Sequence, residues 1–242
     1  MEEKAITLSA VEKRFKHKQV IAPLSLEVPT GQLIGLLGPS GCGKTTLIKL
    51  IMGMLKPDQG SIHVLNYAVP HKQLLMDIGY MAQSDALYTD LTGAENLNLF
   101  AKLYGLSKQE RENRVQYAAN LVHLTEDLNE KVINYSGGMK RRLSLAIALI
   151  QNPKLLILDE PTVGIDPVLK KEIWQELIRL KEEEHKTILV TTHAMDEAER
   201  CDQLAMLRDG QIIAYGTPQD LKSRYNAQDF DEVFLKAGGE VI

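Results

Sequence analysis

The chain has 242 residues, 44% apolar and 25% charged, with 28 Lys plus Arg against 32 Asp plus Glu for a formal charge of −4. This composition excludes disordered, collagen-like and coiled-coil chains, and folding at this length buries about 70 to 75% of the extended surface with no disulfide or metal staple. A pI near 5.9 is a poor match for a dedicated nucleic-acid binder, which carries a basic face or stripe, so no nucleic-acid partner is expected.

Short apolar runs alternate with longer amphipathic ones, the pattern of an α/β fold on a mostly parallel sheet. The N-terminus, MEEKAITLSA, opens with acids and lacks the basic segment and apolar block of a secretory signal. Ala5 to Val28 reads as antiparallel strands, with Leu24, Leu26 and Val28 alternating against Ser25 and Glu27. The basic group Lys13, Arg14, Lys16 and Lys18 is short and reads as a solvated face. A buried strand is expected from Gln32 to Leu37 and an amphipathic helix from Thr45 to Met54. Between Leu91 and Gln151 the period turns helical. Leu97, Phe100, Ala101 and Tyr104 share one stripe, and Val115, Ala118, Ala119 and Val122 another.

Leu155 to Leu158 and Thr187 to Thr191 are continuously apolar, as strands covered on both faces are. Past Asp202, two short strands, Gln203 to Leu207 and Gln211 to Tyr215, flank Asp209-Gly210, a hairpin signal. A last helix is expected to start near Pro218, a first-turn proline. The organisation read from this is one domain. Residues 1–90 and 152–216 form a core with an antiparallel β subdomain, 91–151 an inserted α-helical subdomain, and 217–242 a C-terminal helix and tail. No window approaches 18 consecutive apolar residues, so any membrane role is expected to be peripheral. Two cysteines, Cys42 and Cys201, make no disulfide framework and suit a reducing compartment.

Gly38-Pro39-Ser40-Gly41-Cys42-Gly43-Lys44-Thr45 matches the phosphate-loop pattern Gly-x-x-x-x-Gly-Lys-Ser/Thr, with a strand leading in and a helix leading out. Glycines let successive backbone N–H groups converge on an anion, and the helix dipole adds favourable potential there. Lys44 is expected to reach the terminal phosphates and Thr45 to ligate Mg²⁺. Leu155 to Asp159 and Glu160 is a buried strand ending in two carboxylates, at the edge where ligands collect in open α/β sheets. There Asp159 could hold the Mg²⁺ that arrives with the phosphates, leaving Glu160 to orient and activate water. Alone, the same pair could simply punctuate a strand end before Pro161. His193 follows another apolar strand, and a lone histidine there is more often structural than catalytic. Ser136-Gly137-Gly138 precedes a helix running to about Gln151, with Ser136 a good N-cap. Taken by itself this is an ordinary capped helix, with Lys140, Arg141 and Arg142 on its polar face. Beside a phosphate loop it is also a second anion-competent helix start, able to serve the nucleotide of another copy.

In order and spacing, these residues resemble the ATP-binding subunits of ABC transporters over nearly the whole chain. Phe15 looks like the adenine-stacking aromatic, Gly38 to Thr46 like the Walker A loop, and Gln83 like the Q-loop glutamine. Ser136-Gly137-Gly138 looks like the signature, and Leu155 to Glu160 like Walker B with its catalytic glutamate. Gly164-Ile165-Asp166 looks like the D-loop and His193 like the switch histidine. The resemblance implies a P-loop NTPase core and a head-to-tail dimer, expected to be a homodimer, that sandwiches two ATP between Walker A of one subunit and the signature of the other. Mg²⁺ is the implied metal, held by Thr45, Gln83 and Asp159. Glu160 is implied as the residue that polarises water, with His193, Gln83 and Lys44 also catalytic. The implied partner is an integral membrane permease, contacted near Gln83 to Tyr88, which places the subunit at the cytoplasmic face of the cell membrane. The usual Leu-Ser-Gly-Gly-Gln is here Tyr135-Ser136-Gly137-Gly138-Met139, and Phe15 lacks the usual tyrosine hydroxyl. The run Tyr135 to Arg142 together with Glu160 to Pro167 is similar to the drug-resistance and multidrug-export subset, so export is favoured over import. The chain ends soon after Phe234-Leu235-Lys236, so the large regulatory extension of some importer ATPases is not expected. A soluble ABC-type ATPase acting on DNA or ribosomes, and a regulatory module that closes on ATP without useful hydrolysis, are the alternative readings.

Overall fold

A computed structural model describes residues 3–239; the first two residues of the acidic N-terminus and the last three of the tail lie outside the described residues. The chain begins with β1 (Lys4–Phe15), β2 (Lys18–Pro29), β3 (Leu33–Leu37), α1 (Lys44–Ile51), β4 (Gln59–Val64) and β5 (Tyr67–Ala68). Its middle carries α2 (Leu74–Asp77), β6 (Ile78–Met81), α3 (Gly93–Leu103), α4 (Lys108–Leu121), α5 (Gly137–Leu149), β7 (Leu155–Asp159) and α6 (Pro167–Glu184). The last part adds β8 (Thr187–Thr192), α7 (Met195–Ala198), β9 (Gln203–Arg208), β10 (Gln211–Gly216), α8 (Pro218–Arg224) and α9 (Phe230–Ala237). These elements gather into two compact units, Met1–Leu74 with Thr187–Ile242, and Leu75–Lys186.

The first unit holds an antiparallel sheet in the order β2, β1, β4, β5. The predicted alternation is realised: Leu24, Leu26 and Val28 are buried while Ser25 and Glu27 are exposed. A second set of strands is centred on β3, which runs parallel to both β8 and β9. Every residue of β3 and β8 is buried, which accounts for the absence of charged residues and of alternation in both. Asp202 holds the start of β3, its carboxylate accepting from the Leu33 N–H at 2.8 Å. β9 and β10 form the predicted hairpin, and φ values of 48° at Asp209 and 75° at Gly210 fit the mirror-image turn that hairpins favour. The predicted helix at Pro218 forms behind the Thr217 N-cap but stops at Arg224, and a separate helix, α9, follows. That second helix escapes the sequence pattern because its eight residues bury only Phe230 and Val233.

In the second unit β6 and β7 pair in parallel, Gly79 opposite Leu156 and Met81 opposite Leu158. With four residues, β6 is too short to show a clear alternation, and the sequence pattern does not reveal it, nor β4, β5, α2 and α6. The helical stretch is present as α3, α4 and α5. Thr92 with Glu95 and Ser107 with Glu110 make reciprocal capping boxes on α3 and α4. Those backbone and hydroxyl bonds hold both glutamate pKa values below the ordinary range. Val115, Ala118, Ala119 and Val122 are all buried, as their stripe predicted. Arg114 donates to the carbonyls of Leu149 and Ile150, satisfying the end of α5, and Arg142 does the same for Val122 and His123 at the end of α4.

Candidate functional site

The first unit builds the phosphate loop between the end of β3 and the start of α1. Gly43 caps α1 with φ 114° and Gly38 turns off β3 at φ 158°. A Cβ on Gly38 would lie 2.2 Å from the Leu207 carbonyl, so that position needs glycine for space, while Gly43 needs it for its φ of 114°. The loop is braced by the neighbouring hairpin turn, where the Gly210 N–H donates to the Cys42 carbonyl at 3.0 Å. Lys44 is buried, and its ammonium donates to the carbonyls of Gly38 at 2.6 Å and Pro39 at 3.2 Å. The cation is thus already folded over the loop, with Pro39, Ser40 and Gly41 exposed around it and Thr45 and Thr46 half-buried on the first turn of α1. Cys42 is buried, and that burial pushes its thiol pKa up against the opposing pull of Lys44. The thiol inside the motif is therefore a poor nucleophile in the folded protein.

His193 is exposed just past β8, in the same unit. Phe15, at the end of β1, is 44% exposed, with the Lys13 ammonium 5.6 Å from its ring centre. An open aromatic face is what a stacking partner needs. Lys13 is not merely solvated, since it also pairs with Asp58 at 2.9 Å.

The second unit assembles the acidic strand end. Asp159 closes β7 and is 1% exposed. Glu160 follows with φ 53°, a left-handed backbone that costs a residue other than glycine about 1 to 3 kcal/mol and persists only where its surroundings enforce it. Gln83, just past β6, donates its amide to the Glu160 carboxylate at 3.3 Å, so two residues far apart in sequence are brought together. Asp166 caps α6, accepting from the Leu169 N–H at 3.0 Å, with Pro167 at the first helical position. Ser136 caps α5, accepting from the Met139 N–H at 3.2 Å, and Gly137 leaves open space where a Cβ would stand. The start of α5 is an exposed, capped helix N-terminus with an unobstructed approach.

Two features of this unit were not legible. Tyr135 is buried, its hydroxyl donating to the Asp127 carbonyl at 2.8 Å, and a Cβ on Gly93 would fall 2.3 Å from that oxygen. Tyrosine at this place is therefore paired with glycine at the first position of α3. Arg141, read from sequence as part of a polar face, is instead 6% exposed. Its guanidinium donates to the carbonyls of Ala82, Gln83, Asp159 and Glu160. The available signal was periodicity: Arg141 falls four and seven residues before Leu145 and Ala148 on one buried stripe of α5.

The ABC transporter family profile matches residues 21–163, a span running from before the phosphate loop to beyond Glu160. The chain belongs to the ABC transporter family. Among curated relatives, the Nod factor export ATP-binding protein I of Rhizobium etli is 43% identical over 90% of this chain and 69% of its own length. Across such relatives the chain spans between 63% and 76% of their length. A solved ATP-binding subunit of an ABC transporter superposes with a TM-score of 0.88 at 28% identity, covering 97% of this chain and 99% of that one. A dimeric ATP-binding cassette in a post-hydrolysis state with ADP and phosphate superposes at 0.81 and 28% identity, covering 88% of this chain and 98% of that one. The α/β fold with its antiparallel β subdomain is that of ABC ATP-binding subunits, and the chain is an ABC-type ATPase. No helix among the described residues is long and apolar enough to cross a membrane.

Proposed function

We propose that the chain is one ATP-binding domain that binds and hydrolyses ATP to energise a membrane exporter. The observation that carries this reading is the phosphate loop, with Gly38 fixed by the Leu207 carbonyl and Lys44 held over it. Backbone N–H groups of residues 38–46 bind the phosphates, Lys44 neutralises the terminal ones, and Phe15 stacks on the base. The oxygen donors assigned to Mg²⁺ are the Thr45 hydroxyl, the Asp159 carboxylate and the Gln83 amide oxygen, a hard set that fits this ion and no softer metal. Bound there, the ion would supply positive charge to offset that of the phosphates. Glu160 orients the attacking water and accepts its proton, Gln83 holds the Glu160 carboxylate, and His193 steadies the γ-phosphate.

Ser136 and Gly138 supply no contact to the chain's own nucleotide in this reading. They close on the nucleotide of a second copy, with Asp166 at the same junction, so hydrolysis needs two chains. Export is supported by the relatives' names and by the Tyr135 to Arg142 and Glu160 to Pro167 sequences. A permease partner would hold the chain peripherally at the cytoplasmic face of the membrane, a reading supported by the exporter relatives. ATPase rate per chain measured over a wide range of protein concentration tests the central point. The rate per chain should rise with concentration and saturate, and a rate unchanged by dilution refutes the shared site.

A further inference from the structure

We propose that Arg141 is a positioning residue for hydrolysis, its guanidinium setting the backbones of Gln83 and Glu160 from the helix that starts at Ser136. The inference deepens the reading above and rests on its roles for Glu160 and Gln83. One end of the guanidinium, Nη1, donates to the Ala82 and Gln83 carbonyls at 2.7 and 3.0 Å. The other, Nη2, donates to the Asp159 carbonyl and, at 2.6 Å, to the Glu160 carbonyl. One side chain thus spans the end of β6 and the end of β7. The same helix reaches that loop again one turn on, where the Ser144 hydroxyl donates to Asp85 Oδ1 at 2.9 Å.

Burial of this cation is not a good stability device. Its nearest carboxylate, Asp85, is 3.5 Å away, and its Nε has no hydrogen-bond partner among the described residues. An imperfectly compensated buried charge is commonly matched or bettered by an apolar side chain of the same volume. What the guanidinium alone offers is a rigid planar fork with two ends that serve different acceptors, which a lysine ammonium cannot reproduce. Those acceptors include Glu160, whose φ of 53° must be enforced from outside, and Gln83, whose amide meets the Glu160 carboxylate. Both members of that pair hang from one anchor, and the anchor sits on the helix whose N-terminus is assigned to the second nucleotide. A shift of that N-terminus would be felt at Glu160 through a single side chain.

The test uses the full chain with Arg141→Met and Arg141→Lys. Nucleotide affinity, read with a fluorescent ATP analogue, should stay within about twofold, because the phosphate loop is untouched. A misplacement of about 1 Å can cost 10²-fold in rate, so kcat should fall about ten- to hundredfold with KM little changed. Arg141→Lys should recover only part of that loss. Amide exchange over residues 82–85 and 160–163 should quicken in both variants while that over β3 and β8 does not. A merely structural role predicts a lower melting temperature with kcat per nucleotide-binding chain unchanged, and that result overturns the inference, as does full rescue by lysine. Should Arg141→Met fail to fold, the lysine variant decides alone: full kcat overturns, reduced kcat at unchanged affinity supports. Failure of the underlying reading looks different. It shows as no hydrolysis by the unaltered chain, or as wild-type turnover in Glu160→Gln, whatever Arg141 does.

Discussion

Replacing Gly93 with alanine probes the contact that sets the start of the signature segment. The new Cβ would lie 2.3 Å from Tyr135 Oη and 3.3 Å from Tyr135 Cζ, so the ring has to move. Moving it breaks the 2.8 Å bond to the Asp127 carbonyl, a net loss of about 0.5 to 1.5 kcal/mol. Crowding a packed site adds about 1 to 3 kcal/mol, and the better helix propensity of alanine returns up to about 1 kcal/mol. The balance is a destabilisation of about 1 to 3 kcal/mol, equivalent to roughly 2 to 10 °C in melting temperature for a chain of this size. Urea unfolding followed by the single, fully buried Trp174 reads it directly. The decisive comparison is Gly93→Ala in the Tyr135→Phe background, where the offending oxygen is gone. There the substitution should cost less than about 1 kcal/mol, giving a coupling of about 1 to 2 kcal/mol between the two positions. An equal cost in both backgrounds, or none in either, refutes the pairing of glycine with tyrosine.

Other outcomes follow from the same geometry. Lys44→Ala should weaken ATP binding about ten- to hundredfold, the loss of a charge-assisted bond worth about 1.5 to 3 kcal/mol; isothermal titration with unchanged affinity would remove lysine from the site. Glu160→Gln should bind ATP normally, lose nearly all turnover and accumulate as a nucleotide-bound dimer in size-exclusion chromatography, whereas a monomeric, active variant contradicts its role. Alkylation of Cys42 in the folded protein should be slower than that of a free thiol at neutral pH, climb with pH and slow further with ATP. Fast labelling at pH 7 would contradict its burial. Because the folded thiol titrates above its unfolded value, its contribution to stability is complete below about pH 8.5 and is lost as pH rises beyond that.

Much of the fold is legible because two-sided burial writes itself into composition: β3 carries no polar side chain, β8 no charged one, and β7 is apolar up to its closing Asp159. The phosphate loop is legible for a related reason, since a carbonyl 2.2 Å from a would-be Cβ leaves glycine as the one residue that fits at position 38. Elements only one or two periods long leave no such trace, and β6, with four residues against a strand period of two, is the example. Arg141 was misjudged because charge suggests solvent, while tertiary structure supplies four carbonyl acceptors that no local rule foresees. The family likeness marks Gln83 and Glu160 as site residues, but their meeting is visible only in the structure, as nothing local links the ends of β6 and β7. The tyrosine in the signature looked like a departure and is better seen as half of a pair, its other half the glycine that opens α3.

The ammonium of Lys44, bonded to two carbonyls of its own loop, has a consequence for ligand choice. An incoming triphosphate does not meet a bare positive charge but must outcompete neutral acceptors already in place. Affinity is then a difference between two sets of bonds, and only a polyanion that engages the loop amides as well gains enough to make the exchange. A group that meets the lysine alone merely replaces bonds already made, whereas one that also accepts from the loop amides adds new ones.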